Sequence, residues 1–151
     1  MKIRTDFVTN SSSSSFITVR LITDDGMYQY QSEHEYNIPD GNEKILNKLC
    51  KCKTVADILK VLKVENDDLT ITNPDVDIST LQLSDIKNIR LATGWSMYGQ
   101  EANEAIYDGE VDENSVIGSE GDIIEGVAVL FDIHNKTTTL CPVDEDDIYG
   151  A

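Results

Sequence analysis

Basic residues are scarce in this sequence: twelve Lys and Arg stand against 28 Asp and Glu, a formal charge of -16 and a pI near 4.2. Nucleic-acid binding rests mainly on Lys and Arg that neutralise phosphates, so direct contact with a duplex is not expected, nor with an anionic membrane surface. Cysteine is confined to Cys50, Cys52 and Cys141, an odd number with no secretory signal ahead of them. Such thiols read as reduced residues of a cytoplasmic protein, not as a disulfide framework. Long apolar runs are missing too, the longest being Val127 to Phe131, far short of the roughly 18 residues that would span a bilayer. Lys2 and Arg4 precede a polar Thr-Asn-Ser stretch, and Arg20 breaks the first apolar run, so no signal peptide is legible.

What is present suffices for one domain. Of 151 residues, 40% are hydrophobic, and a chain of this size buries about 70% of its unfolded surface, enough for a core without metal or disulfides. The charge is lopsided. Residues 1 to 63 carry nine Lys and Arg against eight Asp and Glu, a net of +1, whereas residues 64 to 151 carry three against twenty, a net of -17.

Alternation in Phe16 to Thr23 puts Ile17, Val19 and Leu21 on one face of a strand and Thr18 and Arg20 on the other. A turn at Asp24-Asp25-Gly26 and renewed alternation from Met27 to His34, with Tyr28 and Tyr30 on one side, complete an N-terminal hairpin. The period then changes: Ile45, Leu46, Leu49 and Cys52 share one face of a helix over Glu43 to Cys52, opposite Lys44, Lys48 and Lys51. Thr54 with Asp57 three residues on starts a second helix striped by Val55, Ile58, Leu59 and Leu62. Leu69 to Thr72 reads as a short strand, stopped by Asn73-Pro74. Ile89 to Thr93 reads as another, broken by Gly94-Trp-Ser-Met-Tyr-Gly99. An acidic surface excursion over 101 to 125 follows, with little periodicity beyond Ala102 to Ile106. Gly126 to Phe131 and Thr137 to Cys141 form a closing hairpin, and Asp144 to Asp147 is a like-charge run expected to stay solvated. These readings specify an α+β fold: a mostly antiparallel sheet with N-terminal and C-terminal hairpins and two short helices packed on one face. Residues 1–15 form a Ser-rich segment, 16–143 the domain and 144–151 an acidic tail.

The least ordinary feature is the string Lys2-Ile-Arg-Thr-Asp-Phe-Val-Thr-Asn-Ser-Ser-Ser-Ser-Ser-Phe16. It resembles the start of many small, functionally uncharacterised proteins of anaerobic Gram-positive bacteria. The resemblance spans about the first 17 residues; it implies a bacterial cytosolic protein whose N-terminal segment serves a shared purpose, and it carries no reaction, fold or cofactor. In physical terms Ser11, Ser12, Ser13, Ser14 and Ser15 have no apolar payload and compete with the backbone for hydrogen bonds, which suits a linker. They would equally suit an acceptor for a modifying enzyme, or a docking segment anchored by Phe7 and Phe16. A phosphate cradle is disfavoured, because no glycine allows close backbone approach and no Gly-Lys-Ser/Thr follows.

Catalytic patterns are not found. The only histidines are His34 and His134, no Gly-x-Ser-x-Gly elbow surrounds a serine and no Ser-x-x-Lys occurs. No metal ligand is assigned: Cys50 and Cys52 point apart on a helix without a second pair. Asp108 to Asn114 imitates a calcium loop but has Glu113 at the sixth position and Ser119 at the twelfth, where glycine and glutamate are required. Only weak cation binding to that stretch stays open. Trp95 and Tyr98, bordered by Gly94 and Gly99, suit interface anchors or a core plug under a loop. Lys44, Lys48 and Lys51, continued by Lys53, Lys60 and Lys63, read as a water-facing helix side or a contact for an acidic partner or phosphates.

The expectation is a non-catalytic protein-binding or adaptor module, neither an enzyme nor a cofactor protein, that engages another protein through Phe7, Ser11 to Ser15, Phe16, Trp95 and Tyr98. One alternative is an acidic mimic of nucleic acid that inhibits a nucleic-acid-binding protein. The other is an enzyme or modification substrate acting through the serines.

Overall fold

A computed structural model of the chain describes residues 13–24, 26–31, 38–64, 69–70 and 80–149. Strands β1 (Ser13–Thr23) and β2 (Gly26–Gln31) form the N-terminal hairpin, with Thr23 paired to Gly26 across the turn. Helices α1 (Ile38–Cys50) and α2 (Val55–Val61) follow, then β3 (Leu69–Thr70) and β4 (Ile86–Met97). Helix α3 (Gly99–Tyr107), the short β5 (Val116–Ile117), β6 (Ile123–Asp132), β7 (Thr137–Cys141) and one turn of helix, α4 (Asp146–Tyr149), complete the chain. The sheet runs β3-β2-β1-β4-β6, and β5 and β7 share the outer edge of β6. Every pairing among the described residues is antiparallel. The fold is α+β.

One face of the sheet carries Val19, Leu21, Tyr28, Tyr30, Ile89, Leu91, Val129 and Phe131, packed against Ile38, Leu49, Val55, Ile58 and Leu62 of the first two helices and their flanks. Each such side chain stabilises the fold by roughly 1.5–3 kcal/mol when removed from water. Helix α1 starts five residues earlier than the periodicity indicates, because Pro39 and Gly41 look like breakers. Proline is tolerated in a first helical turn, where its missing amide hydrogen has no partner to lose. At Thr54 the expected capping box is present: its Oγ accepts from Asp57 N at 3.1 Å, and Asp57 Oδ2 accepts from Thr54 N at 3.3 Å.

Three sequence expectations fail in this region. Strand β1 begins within the serine run, not at Phe16, with Ser13, Ser14 and Ser15 paired to Met97, Ser96 and Trp95. Strand β4 does not break at Gly94 but continues to Met97. Gly94 faces Gly126 on β6, and a Cβ at Gly94 would run into the Glu125 carbonyl oxygen and lie 2.7 Å from Gly126 Cα. The glycine marks close strand approach, not a turn. The acidic excursion contains α3, whose Ala102 and Ala105 bury against Met97 and Ile123, with the half-buried Trp95 packed beside them.

The largest departure concerns the acidic tail. Residues 142–149 fold back across the second face of the sheet, where Val143 and Ile148 pack with Phe16, Ala92, Ile124 and Ala128. Two arginines that the register sets opposite each other, Arg20 and Arg90, hold it down. Arg90 donates from Nε to Asp147 Oδ1 at 3.0 Å and from Nη2 to Asp147 Oδ2 at 2.9 Å and Pro142 O at 2.8 Å. Arg20 reaches Asp144 at 3.2 Å and Asp147 at 3.1 Å, and its Nε donates to Gln29 Oε1 at 2.9 Å. Asp147 is completely buried. Asp144 and Asp147 also accept each other's backbone amides, which fixes the start of α4. Like charges adjacent in sequence are thus neutralised by arginines 54 to 127 positions away, an arrangement that local charge patterning cannot show.

Candidate functional site

The register of β1 on β4 unites the two segments singled out in the sequence. Ser14 stands opposite Ser96, their hydroxyls 3.3 Å apart, at the end of the sheet where β4 turns into α3. Tyr98 is the N-cap residue of α3 and is 42% exposed; Gly99 follows with φ +74°, a left-handed conformation that glycine adopts freely, and a Cβ there would meet open space. A third wall comes from the turn before β6, closed by Gly121 N donating to Gly118 O at 3.0 Å and Gly118 N donating to Asp122 O at 2.8 Å. This turn presents Glu120 and Asp122. Helix α4 closes the fourth side with Ile148, and Glu145 ties the tail to the turn by accepting from Ser119 N at 3.2 Å and Ser119 Oγ at 2.8 Å.

The result is a cleft of about 450 Å³ lined by Ser14, Ser96, Tyr98, Gly99, Glu120, Asp122 and Ile148, within the size range of small-ligand sites. A smaller recess of about 290 Å³ adjoins it through Glu120 and includes Ser119, Glu145 and Asp146. Among the described residues no cationic side chain lines either space. Asp122 is the residue in tension. It is 5% exposed, and its Oδ2 is buried without a hydrogen-bond partner. Burial first, and then the nearby charges of Glu120 and Glu145, push its carboxyl above the ordinary range.

The sequence-derived candidates divide accordingly. Ser14 and Tyr98 line the cleft, whereas Ser15, exposed, pairs with Trp95 and faces away from it on the other side of the sheet. Phe16 is no accessible anchor: it is 7% exposed in the core under the C-terminal tail, because the alternation that would free it instead directs it onto that face opposite Gly94. Trp95 packs under α3 on the other face. Ser13 lies in β1 beside Met97, while Phe7, Ser11, Ser12 and His34 lie outside the described residues.

Ser96, Glu120, Asp122 and Ile148 escaped the sequence reading. Asp122 is one of 28 acidic residues and nothing in its neighbours in sequence distinguishes it; its burial is a tertiary property. The other chemistry-bearing residues stay apart from the cleft. His134 donates from Nε2 to Ile86 O at 2.6 Å, a structural bond that ties the β6–β7 turn to the start of β4. The three cysteines are free thiols, and burial pushes the Cys52 thiol up, away from reactive thiolate character. The calcium-like stretch is occupied with its own backbone, Asp112 Oδ1 accepting from Asn114 N at 2.9 Å. Among the described residues no group of three or more His, Cys, Asp or Glu is placed to hold a metal ion, and no helix is long and apolar enough to cross a membrane.

Set against protein-family models, curated proteins and solved structures, the chain matches none.

Proposed function

We propose that this protein is a non-catalytic binding module that recognises another protein through the cleft between Ser14, Ser96, Tyr98 and Asp122. The observation that carries the reading is the pairing of Ser14 with Ser96, which sets the serine segment beside an exposed tyrosine in one concave site. Tyr107, 91% exposed at the far end of α3, extends aromatic surface away from the cleft; rigid aromatic side chains of this kind give large contact area at low entropic cost. The hydroxyls suit recognition better than chemistry, since Ser14 Oγ bonds to another hydroxyl, which is no general base at neutral pH.

Capture from host lysate by the tagged protein tests the reading. A partner retained through a high-salt wash and lost from Ser14→Trp and Tyr98→Ala, but kept by Leu140→Ala on the exposed edge of the sheet, is the expected result. Equal capture by all four proteins would overturn it. The acidic-mimic alternative makes a different forecast, partners that release steeply with salt regardless of the cleft. Against it stands the internal use of Asp144 and Asp147 by two arginines, together with six exposed lysines on and beside the helices.

A further inference from the structure

Asp122 presents an unanswered requirement. A buried carboxylate without a hydrogen bond or counter-ion is costly, and proteins ordinarily satisfy such a group with a backbone amide, a basic side chain or a ligand. Here Oδ2 is buried without a partner and Glu120 adds a second negative charge to the same cleft. The same chain does supply arginines where it needs them: Arg20 and Arg90 answer Asp144 and Asp147 a short distance away on the same face. Among the described residues neither arginine pairs with Asp122, whose Oδ2 stays without a partner.

We infer that the cleft is a recognition site for a primary ammonium group on an aliphatic stem, with Asp122 as its counter-ion. An ammonium brings three donors and no acceptor, and the cleft offers matching acceptors in the Asp122 and Glu120 carboxylates and the Ser14 and Ser96 hydroxyls. The stem finds apolar surface on Ile148 and the ring of Tyr98, whose face also attracts a cation. A divalent metal asks for six or more oxygens, and no suitable acidic triad is present among the described residues. The chemistry is shared by a free alkylamine and by a lysine side chain of a partner; the lysine version rests on the binding-module reading above.

Calorimetric titration of the full-length protein tests the inference with three probes: n-butylamine, an acetyl-lysine-amide peptide flanked by alanines, and magnesium chloride. Saturable heat with butylamine or the lysyl peptide is expected, weakened at least tenfold in Asp122→Asn and less in Glu120→Gln, with a thermal melt of each variant showing that it folds. Butylamine and peptide binding equally places the ammonium as the determinant, and peptide alone assigns the source to a protein lysine. No saturable amine binding, binding that Asp122→Asn leaves intact, or Asp122-dependent binding of magnesium without the amines would each overturn it. Because these probes need no partner, amine binding with unchanged lysate capture by the cleft variants would remove the adaptor reading and leave the ammonium site standing.

Discussion

A single carboxylate, Asp147, shows how burial changes the worth of a charge. Held by Arg90 through two parallel hydrogen bonds and by Arg20 at 3.1 Å, it is fully desolvated, and its removal would leave two arginines short of their counter-charge. Asp147→Ala should therefore lower stability by about 3–5 kcal/mol, measured by urea unfolding at neutral pH. Asp144 beside it bears on pH. Burial pushes its carboxyl up, but hydrogen bonding and charge from Arg20, with Arg90 beyond, outweigh burial and hold it below the ordinary range. Its contribution is thus present above the unfolded value, near 3.9, and is lost as pH falls through the lower folded value. The urea midpoint should fall on acidification through this range, and Asp144→Asn should flatten that limb. Asp122 has the opposite sign: raised in the folded state, its ionised form costs stability once pH exceeds its folded value. Asp122→Asn should consequently raise the melting temperature at pH 7 while weakening amine binding at least tenfold, a combination that mere structural damage cannot produce.

At the level of elements, the central strands owe their geometry to two glycines. Gly94 and Gly126 face each other, and a side chain on either would press into the opposing backbone. Gly94→Ala should cost about 1–3 kcal/mol in denaturant unfolding, as other overpacked positions do. Because the cleft lies at the end of the same strand, it should also loosen the Ser14–Ser96 pair, detectable as faster amide exchange there. Helix α2 is a simpler case. Thr54→Ala removes the side-chain half of its capping box and should cost about 1 kcal/mol by the same measurement. Such local devices were legible in the sequence, as were the alternation of β1 and β2 and the limits of β7. Gly94 misled because a strand glycine and a turn glycine carry the same letter, and α3 was obscured because its apolar stripe is built from two alanines amid acidic residues.

For the molecule as a whole, the cover that the described residues give the second face of the sheet is the short segment 142–149. Truncation after Cys141 would expose Phe16, Ala92, Ile124 and Ala128 and strand Arg20 and Arg90. The shortened protein should bind a hydrophobic dye at neutral pH and lose its cooperative melt, and a preserved sharp transition would show that the cover is dispensable. The cleft depends on the same cover, since Ile148 forms one of its walls. Composition and periodicity by themselves determined an α+β chain with an antiparallel sheet, two helices on one face and an excess of negative charge, because those properties repeat at intervals of two or three to four residues. The tertiary structure alone decided that the acidic tail is bound, that Phe16 is interior and Trp95 half-buried under α3, and that Ser14 meets Ser96 beside Asp122. The tail's ion pairs and the serine pair join positions 54 to 127 apart, and no local pattern encodes which distant strand edge or arginine a residue will meet.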